Sequence, residues 1–211
     1  LSAHLDIERA VFQRLAPIAQ KLGLPDDWRV AFQPANDIGD RPSLDTLGPF
    51  RWTPSPAPRW ELTDGQGKQH SLADYAGRPV IIIFYLGKGC AHCIEQLGIF
   101  APETDRFREA SIDLIAISTD HIAGLRETVQ QNKTGDPFPF PLVSDASLKV
   151  FRQYRAYDDF EQQPLHGTFL IDRQGLVRWQ DISHEPFTKV DFLLRESKRL
   201  LAQDPPQVSR R

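Results

Sequence analysis

The stretch Pro79-Val80-Ile81-Ile82-Ile83-Phe84-Tyr85-Leu86 runs directly into Gly87-Lys88-Gly89-Cys90-Ala91-His92-Cys93, and this junction decides the fold. The first part is an unbroken β-branched and aromatic run with no polar residue to mark a wet face. That is the pattern of a strand covered on both sides. Residues Pro79 to Gly87 also form the longest uncharged apolar run in the chain, far too short to cross a bilayer, so the sequence excludes a membrane-spanning role. Beyond the glycines, apolar side chains recur at Ile94, Leu97, Phe100, Ala101 and Phe107. Their spacing predicts a helix, which Pro102 should kink or interrupt. The cysteine pair therefore sits where a buried strand ends and a helix begins.

Downstream, Ile112 to Ser118 reads as a second buried strand and Asp120 to Gln131 as a helix. After Pro137-Phe138-Pro139-Phe140-Pro141 comes a short strand at Leu142-Val143, then a helical segment from Leu148 to Tyr154. Thr168 to Ile171 and Leu176 to Trp179 form a hairpin about Asp172-Arg173-Gln174-Gly175, and Phe187 to Leu201 is an amphipathic closing helix. Upstream, Trp60-Glu61-Leu62, Asp64-Gly65-Gln66-Gly67 and Ser71 to Tyr75 read as a strand, a tight turn and a short helical segment. Alternating strands and helices closed by a hairpin and a last helix predict a layered α/β domain with a mixed central sheet.

Residues 1 to 23 carry an i, i+3/i+4 apolar stripe at Leu5, Val11, Phe12, Leu15, Ile18, Ala19 and Leu22, which stops at Gly23, a natural C-cap. From Pro25 to Pro58 there are seven prolines, so an extended arm is expected there. A flexible linker would rarely spend four aromatics, and Trp28, Phe32, Phe50 and Trp52 predict that the arm packs on the following domain. The expected organisation is a helix and arm over 1–56, one domain over 57–204 and a tail over 205–211.

With 211 residues, 40% hydrophobic and 25% charged, the chain has the composition of an ordinary globular protein. A net charge of -3 gives no electrostatic reason to expect a nucleic-acid partner. The chain contains no methionine and begins Leu1-Ser2-Ala3 with no charged-then-apolar export signal, which suggests a processed chain or a piece of something longer. Its two cysteines, Cys90 and Cys93, lie within one helical turn of each other, so chemistry explains them better than stapling.

At a strand-to-helix junction, free backbone N–H groups and the helix dipole stabilise an anion, here a thiolate. Cys90, near the N-cap, is the candidate nucleophile. Cys93, one turn inside, is placed to resolve a mixed disulfide formed on Cys90. His92 would supply a further donor or positive charge to the Cys90 thiolate, and Lys88 a second charge. A stabilised thiolate leaves more readily and makes the disulfide more oxidising. The span from thioredoxin, at about -270 mV, to the strongest dithiol oxidants, at about -120 mV, follows this logic. The plainer alternatives are two inert buried thiols or half of a zinc site, which would need His166 or His184 to complete it.

Around the cysteines, Phe84-Tyr85-Leu86-Gly87-Lys88-Gly89-Cys90-Ala91-His92-Cys93-Ile94-Glu95-Gln96-Leu97 resembles the active-site segment of the alkyl hydroperoxide reductase and thiol-specific antioxidant (AhpC/TSA, peroxiredoxin-like or redoxin) family. Ser71 to Val80, Ile115 to Asp120, Phe140 to Asp145 and Gly167 to Gly175 resemble further segments of that family in the right order, over about residues 57 to 202. The resemblance implies a thioredoxin-like fold and an antioxidant oxidoreductase. Two departures stand out. Aligning the family's peroxidatic cysteine with Cys93 puts Leu86 at its proline and Cys90 at its threonine, so a thiol replaces the hydroxyl that would orient a peroxide. Where the family has an arginine before the Phe-Leu-Ile-Asp strand, this chain has His166, which should face the sulfurs. His166 could shuttle a proton, serve as a third metal ligand, or simply be a hydrogen-bonded loop histidine.

The leading expectation is a thiol-disulfide oxidoreductase in which Cys90 attacks, Cys93 resolves, and His92 and His166 tune the pair. No bound cofactor is needed, because the dithiol carries two electrons. A thiol-dependent peroxidase passing through a sulfenic acid is the first rival. A copper or zinc carrier using Cys90, Cys93 and His166 is the second. The expected partners are a protein or small-molecule thiol, disulfide or hydroperoxide and an electron donor the sequence leaves open; the N-terminal helix and arm could also dock the module into a larger polypeptide. His184 is expected to pair with a carboxylate and cap the last helix. The acids of Tyr157-Asp158-Asp159-Phe160-Glu161 are read as solvated surface.

Overall fold

A computed structural model describes residues 13–23, 53–132 and 136–202 of the chain. By its contacts the chain divides into two units, Leu1–Trp52 and Thr53–Arg211, each described by itself. In the first, residues 13–21 form a helix, α1, and Gly23 ends it as expected. Gly23 takes φ +65° and donates its N–H to the Gln20 carbonyl at 3.1 Å. Ala19 is buried, whereas Leu15, Ile18 and Leu22 are exposed. The expectations about Leu5, Val11, Phe12, the four arm aromatics and the tail fall on residues outside those described.

The second unit follows the alternating pattern. In chain order it contains β1 (Ser55–Pro56), β2 (Glu61–Asp64), β3 (Gln69–Ser71), β4 (Val80–Tyr85), α2 (Ala91–Phe100), α3 (Thr104–Glu109), β5 (Asp113–Ser118), α4 (Ile122–Gln130) and β6 (Leu142–Ser144). Then come α5 (Lys149–Gln153), β7 (Tyr157–Asp158), β8 (Gln163–Pro164), β9 (His166–Ile171), β10 (Leu176–Ser183) and α6 (Val190–Leu201). One mixed sheet has the order β1-β10-β9-β4-β5-β6-β2-β3, and β7 and β8 form a separate ribbon. β4, β5 and β6 run parallel, while β9 returns antiparallel to β4, with Ile82 opposite both Ile115 and Phe169.

β4 is central, and all six of its side chains are buried. Ile81, Ile83 and Tyr85 pack with Leu97 and Phe100 of α2 and with Leu193 and Leu194 of α6. Val80, Ile82 and Phe84 face the other way, onto Val150, Phe151 and Tyr154. Each such side chain contributes about 1.5–3 kcal/mol of burial, so the run has two covered faces to fill and no wet one. Pro102 acts as expected: α2 stops at Phe100, a 3-10 turn spans Ala101–Glu103, and α3 starts at Thr104. The Thr104 hydroxyl donates to the Phe100 carbonyl at 3.3 Å across the break.

Four features go beyond or against the sequence reading. The tight turn leads into a strand, β3, because the Asp64 carboxylate accepts the N–H groups of Gln66 and Lys68, both at 2.9 Å, and holds His70 Nε2 at 2.8 Å. The β7–β8 ribbon precedes β9, and its tip presents an exposed Phe160 beside the acids. Ser55 and Pro56 of the expected arm are a short edge strand on β10. His184 is exposed, and the N-cap position of α6 is Lys189, so the expectation that His184 caps this helix is corrected.

Candidate active site

The site is built at the carboxyl end of β4. Leaving Tyr85, the chain turns at Gly87, whose φ of +93° favours glycine. It is tied to the end of β5 by the Thr119 hydroxyl, which donates to the Leu86 carbonyl at 3.0 Å. Cys90 N–H then donates to the Gly87 carbonyl at 3.1 Å, which closes a turn and delivers Cys90 to the N-cap of α2. There its sulfur accepts the Cys93 N–H at 3.1 Å, one of the orphan donors of the helix start.

Cys90 and Cys93 are joined in a disulfide, with their Cα atoms 5.2 Å apart. The two sulfurs are not equivalent. Cys93 is completely buried and accepts the Leu86 N–H at 3.3 Å, while Cys90 is half-buried. Sequence reasoning had no residue-type signal for the Leu86 N–H, since a main-chain donor carries none.

His166 opens β9 and is 5% exposed. The pairing of β9 with β4, in which Phe84 lies opposite Gly167, carries it to the end of β4 beside the cysteines. Its Nε2 lies 3.1 Å from Cys93 Sγ and 3.6 Å from Cys90 Sγ. Burial pushes its pKa below the ordinary histidine value; the main chain of His184 and Ser183 and the Glu185 carboxylate offset this only in part, and His92 adds to it. A disulfide sulfur has no proton to give, so a hydrogen bond here requires Nε2 to carry the hydrogen. Nδ1 is buried and has no hydrogen-bond partner among the described residues.

Two expected contributors are elsewhere. His92 points into solvent beside Glu95, with Nδ1 4.0 Å from Oε2. It makes no hydrogen bond to either sulfur among the described residues. Lys88 Nζ is 2.6 Å from Glu127 Oε2, so its charge is spent on that pair. Among the described residues, the groups that reach the sulfurs are the Cys93 and Leu86 N–H groups and His166 Nε2.

Cys90, Cys93 and His166 bring their ligand atoms within 4.8 Å of one another, so the three residues of the carrier reading do converge. Joined to each other, however, the sulfurs are not the thiolates that a soft ion requires, and that reading is not favoured.

A mixed sheet with helices on both faces and a Cys-x-x-Cys at the mouth of the helix after the central strand defines a thioredoxin-like domain. Residues 54–180 match the AhpC/TSA family, and the chain belongs to that family. It is 32% identical over 126 residues to a putative chloroplastic peroxiredoxin Q of Oryza sativa subsp. indica, a match covering 59% of this chain and 56% of that protein. It is 30% identical over 148 residues to peroxiredoxin-4 of Homo sapiens, covering 66% of this chain and 54% of that one. The chain spans about half the length of the curated relatives it matches. Among solved structures, peroxidoxin BcpB from Mycobacterium tuberculosis aligns with a TM-score of 0.61 at 22% identity, over 72% of this chain and 98% of that one. AhpC of Enterococcus faecalis aligns with a TM-score of 0.63 at 16% identity, over 72% and 96%. These likenesses show the thioredoxin-like fold. No helix among the described residues is long and apolar enough to cross a membrane.

Proposed function

We propose that the chain is a thiol-disulfide oxidoreductase that works through the Cys90–Cys93 dithiol. The observation that carries this reading is the inequality of the two bonded sulfurs: one half-exposed at the helix N-cap, the other sealed behind it. In the reducing direction, the Cys90 thiolate attacks one sulfur of a substrate disulfide and expels the other as a thiolate. Cys93 then attacks Cys90 Sγ, closing the internal disulfide and releasing the second substrate thiol. Two electrons pass from the dithiol to the substrate, and the protons of the two protein thiols end on the two substrate thiols. His166 serves the step as a donor to the sulfurs, steadying whichever is a thiolate. His92 lies in solvent beside Glu95 and acts on the sulfurs only from a distance.

A thiol peroxidase is the second reading, and one observation favours it. Cys93, the residue at the family's peroxidatic position, receives two donors, Leu86 N–H and His166 Nε2. Both relatives named above carry the name peroxiredoxin. Stopped-flow mixing of the reduced protein with hydrogen peroxide separates the two readings. The exchange reading expects thiol loss no faster than in free cysteine, together with rapid transfer to a peptide disulfide. Fast consumption of peroxide with slow disulfide transfer would replace it by the peroxidase reading.

A further inference from the structure

Asp120 lies just past the end of β5, and its carboxylate fills a slot opened by two glycines on different elements. A Cβ on Gly87 would stand 2.6 Å from the carboxylate atoms, and one on Gly124, in the first turn of α4, 2.7 Å from Asp120 Cγ. Real Cβ atoms do not approach so closely, so the slot exists only because both positions lack one. The residue is itself fixed: its N–H donates to the Ser118 hydroxyl at 2.9 Å, and its carbonyl accepts from the Ser144 hydroxyl at 2.6 Å. From this seat Oδ2 accepts the Lys88 N–H at 2.7 Å.

That N–H belongs to the peptide unit whose carbonyl is Gly87 O, the acceptor of the Cys90 N–H. One rigid peptide group therefore links the Asp120 carboxylate to the main chain of Cys90, and polarisation along such a chain strengthens both bonds. We infer that Asp120 is a positioning residue for the dithiol, holding the Gly87–Lys88 peptide so that Cys90 stays within closing distance of Cys93. This builds on the proposed dithiol chemistry. Its consequence is on ring closure: a loop gripped in the closed geometry raises the effective concentration of one thiol at the other. Loosening it makes the disulfide harder to close and the couple more oxidising.

The test is equilibration of the full chain and its variants with glutathione redox buffers at pH 5 and pH 7, with the oxidised fraction read by thiol labelling and mass. Comparing the two pH values separates the loop geometry, which does not titrate, from the loss of the carboxylate charge, whose effect on a thiolate changes with pH. Asp120→Ala is expected to lower the closure constant about tenfold at both pH values, about 30 mV for a two-electron couple. Asp120→Asn, which keeps an acceptor for Lys88 N–H, should remain within about threefold of native. Gly124→Ala, whose new methyl displaces the carboxylate without touching the cysteine loop, should move in the same direction as Asp120→Ala and covers the case in which that variant fails to fold. A native couple that equilibrates reversibly while Asp120→Ala or Gly124→Ala stays within twofold of it would overturn the assignment of Asp120. A native protein showing no reversible equilibrium would instead overturn the dithiol reading beneath it.

Discussion

Replacing His166 by alanine probes the site where geometry and electrostatics meet. In the oxidised protein the imidazole Nε2 lies 3.1 Å from the Cys93 sulfur, which is a neutral disulfide atom there. After reduction the same N–H faces a sulfur able to carry a full negative charge. A hydrogen bond between neutral partners is worth about 0.5–1.5 kcal/mol net, and one to a charged group about 1.5–3 kcal/mol. The imidazole thus favours the reduced state by about 1–1.5 kcal/mol, the difference between the two. Its removal should make the couple more reducing by about 5- to 13-fold, or about 20–30 mV. The assay is equilibration with glutathione at pH 7, with thermal melts to confirm that the variant is folded. Repeating it at pH 5, where less of the sulfur is thiolate, should shrink the shift. A His166→Ala couple within twofold of native at pH 7, or shifted in the oxidising direction, would refute the reasoning. The His166 and Asp120 substitutions are thus expected to move the potential in opposite directions, and only the first should depend on pH.

Cys93→Ser should accumulate a stable mixed disulfide on Cys90 when challenged with oxidised glutathione, seen by mass spectrometry. Cys90→Ser should react at least about tenfold more slowly, because access controls exchange and Cys93 is sealed; equal rates would contradict the assigned order of attack. Gly87→Ala places a side chain at φ +93° and against the Asp120 carboxylate, at a cost of about 1–3 kcal/mol in urea unfolding; a change below about 0.5 kcal/mol would show that the turn relaxes freely. The depressed pKa of His166 also sets a pH dependence. As pH falls below about 6.5, the ordinary histidine value, the unfolded chain takes the proton before the folded one does. Stability from this group is therefore complete above that pH and is lost as pH falls towards the folded value. His166→Ala should flatten the slope of urea midpoints measured between pH 7.5 and 5; an unchanged slope would assign it to other groups.

The parts of this molecule that were legible in its sequence are those where side-chain chemistry alone dictates the backbone. β4 shows itself because six consecutive apolar residues need two covered faces, and the α2 break shows itself because Pro102 lacks an N–H. β3 did not, because Gln69-His70-Ser71 has no apolar alternation; it forms through the Asp64 side chain, which reaches forward to His70. The orientation of His92 was available in principle. Positions 90 and 93 share a helix face at i and i+3, whereas 92 is turned about 100° off Cys93 per helical step. Proximity to the sulfurs in sequence is not proximity in space, because the helix turns His92 away from them. The reverse holds for His166, far away in sequence, which only the pairing of β9 with β4 brings to the sulfurs. Lys88 differs from the expectation for another reason: its flexible ammonium pairs with a carboxylate, Glu127 on α4.

The same geometry explains why both sulfurs can be reactive without being interchangeable. A helix start offers several amide donors, and the fold shares them out: the Cys93 N–H serves Cys90, while the Leu86 N–H, at the end of the strand, serves Cys93. Main-chain donors cost no side-chain entropy and are lost only on substitution by proline, so the site has donors that do not depend on nearby charges. His92 in solvent and Lys88 paired with Glu127 are consistent with that division. What the amides cannot do is follow a proton, since a peptide N–H does not titrate. Among the described residues, the titratable group within reach of both sulfurs is the buried His166 imidazole, whose pKa burial pushes below the ordinary histidine value. A ring already charged would bias the couple permanently towards the thiolate; a neutral one with its hydrogen on Nε2 donates to whichever sulfur is a thiolate and keeps its proton-accepting lone pair on Nδ1, turned away from them.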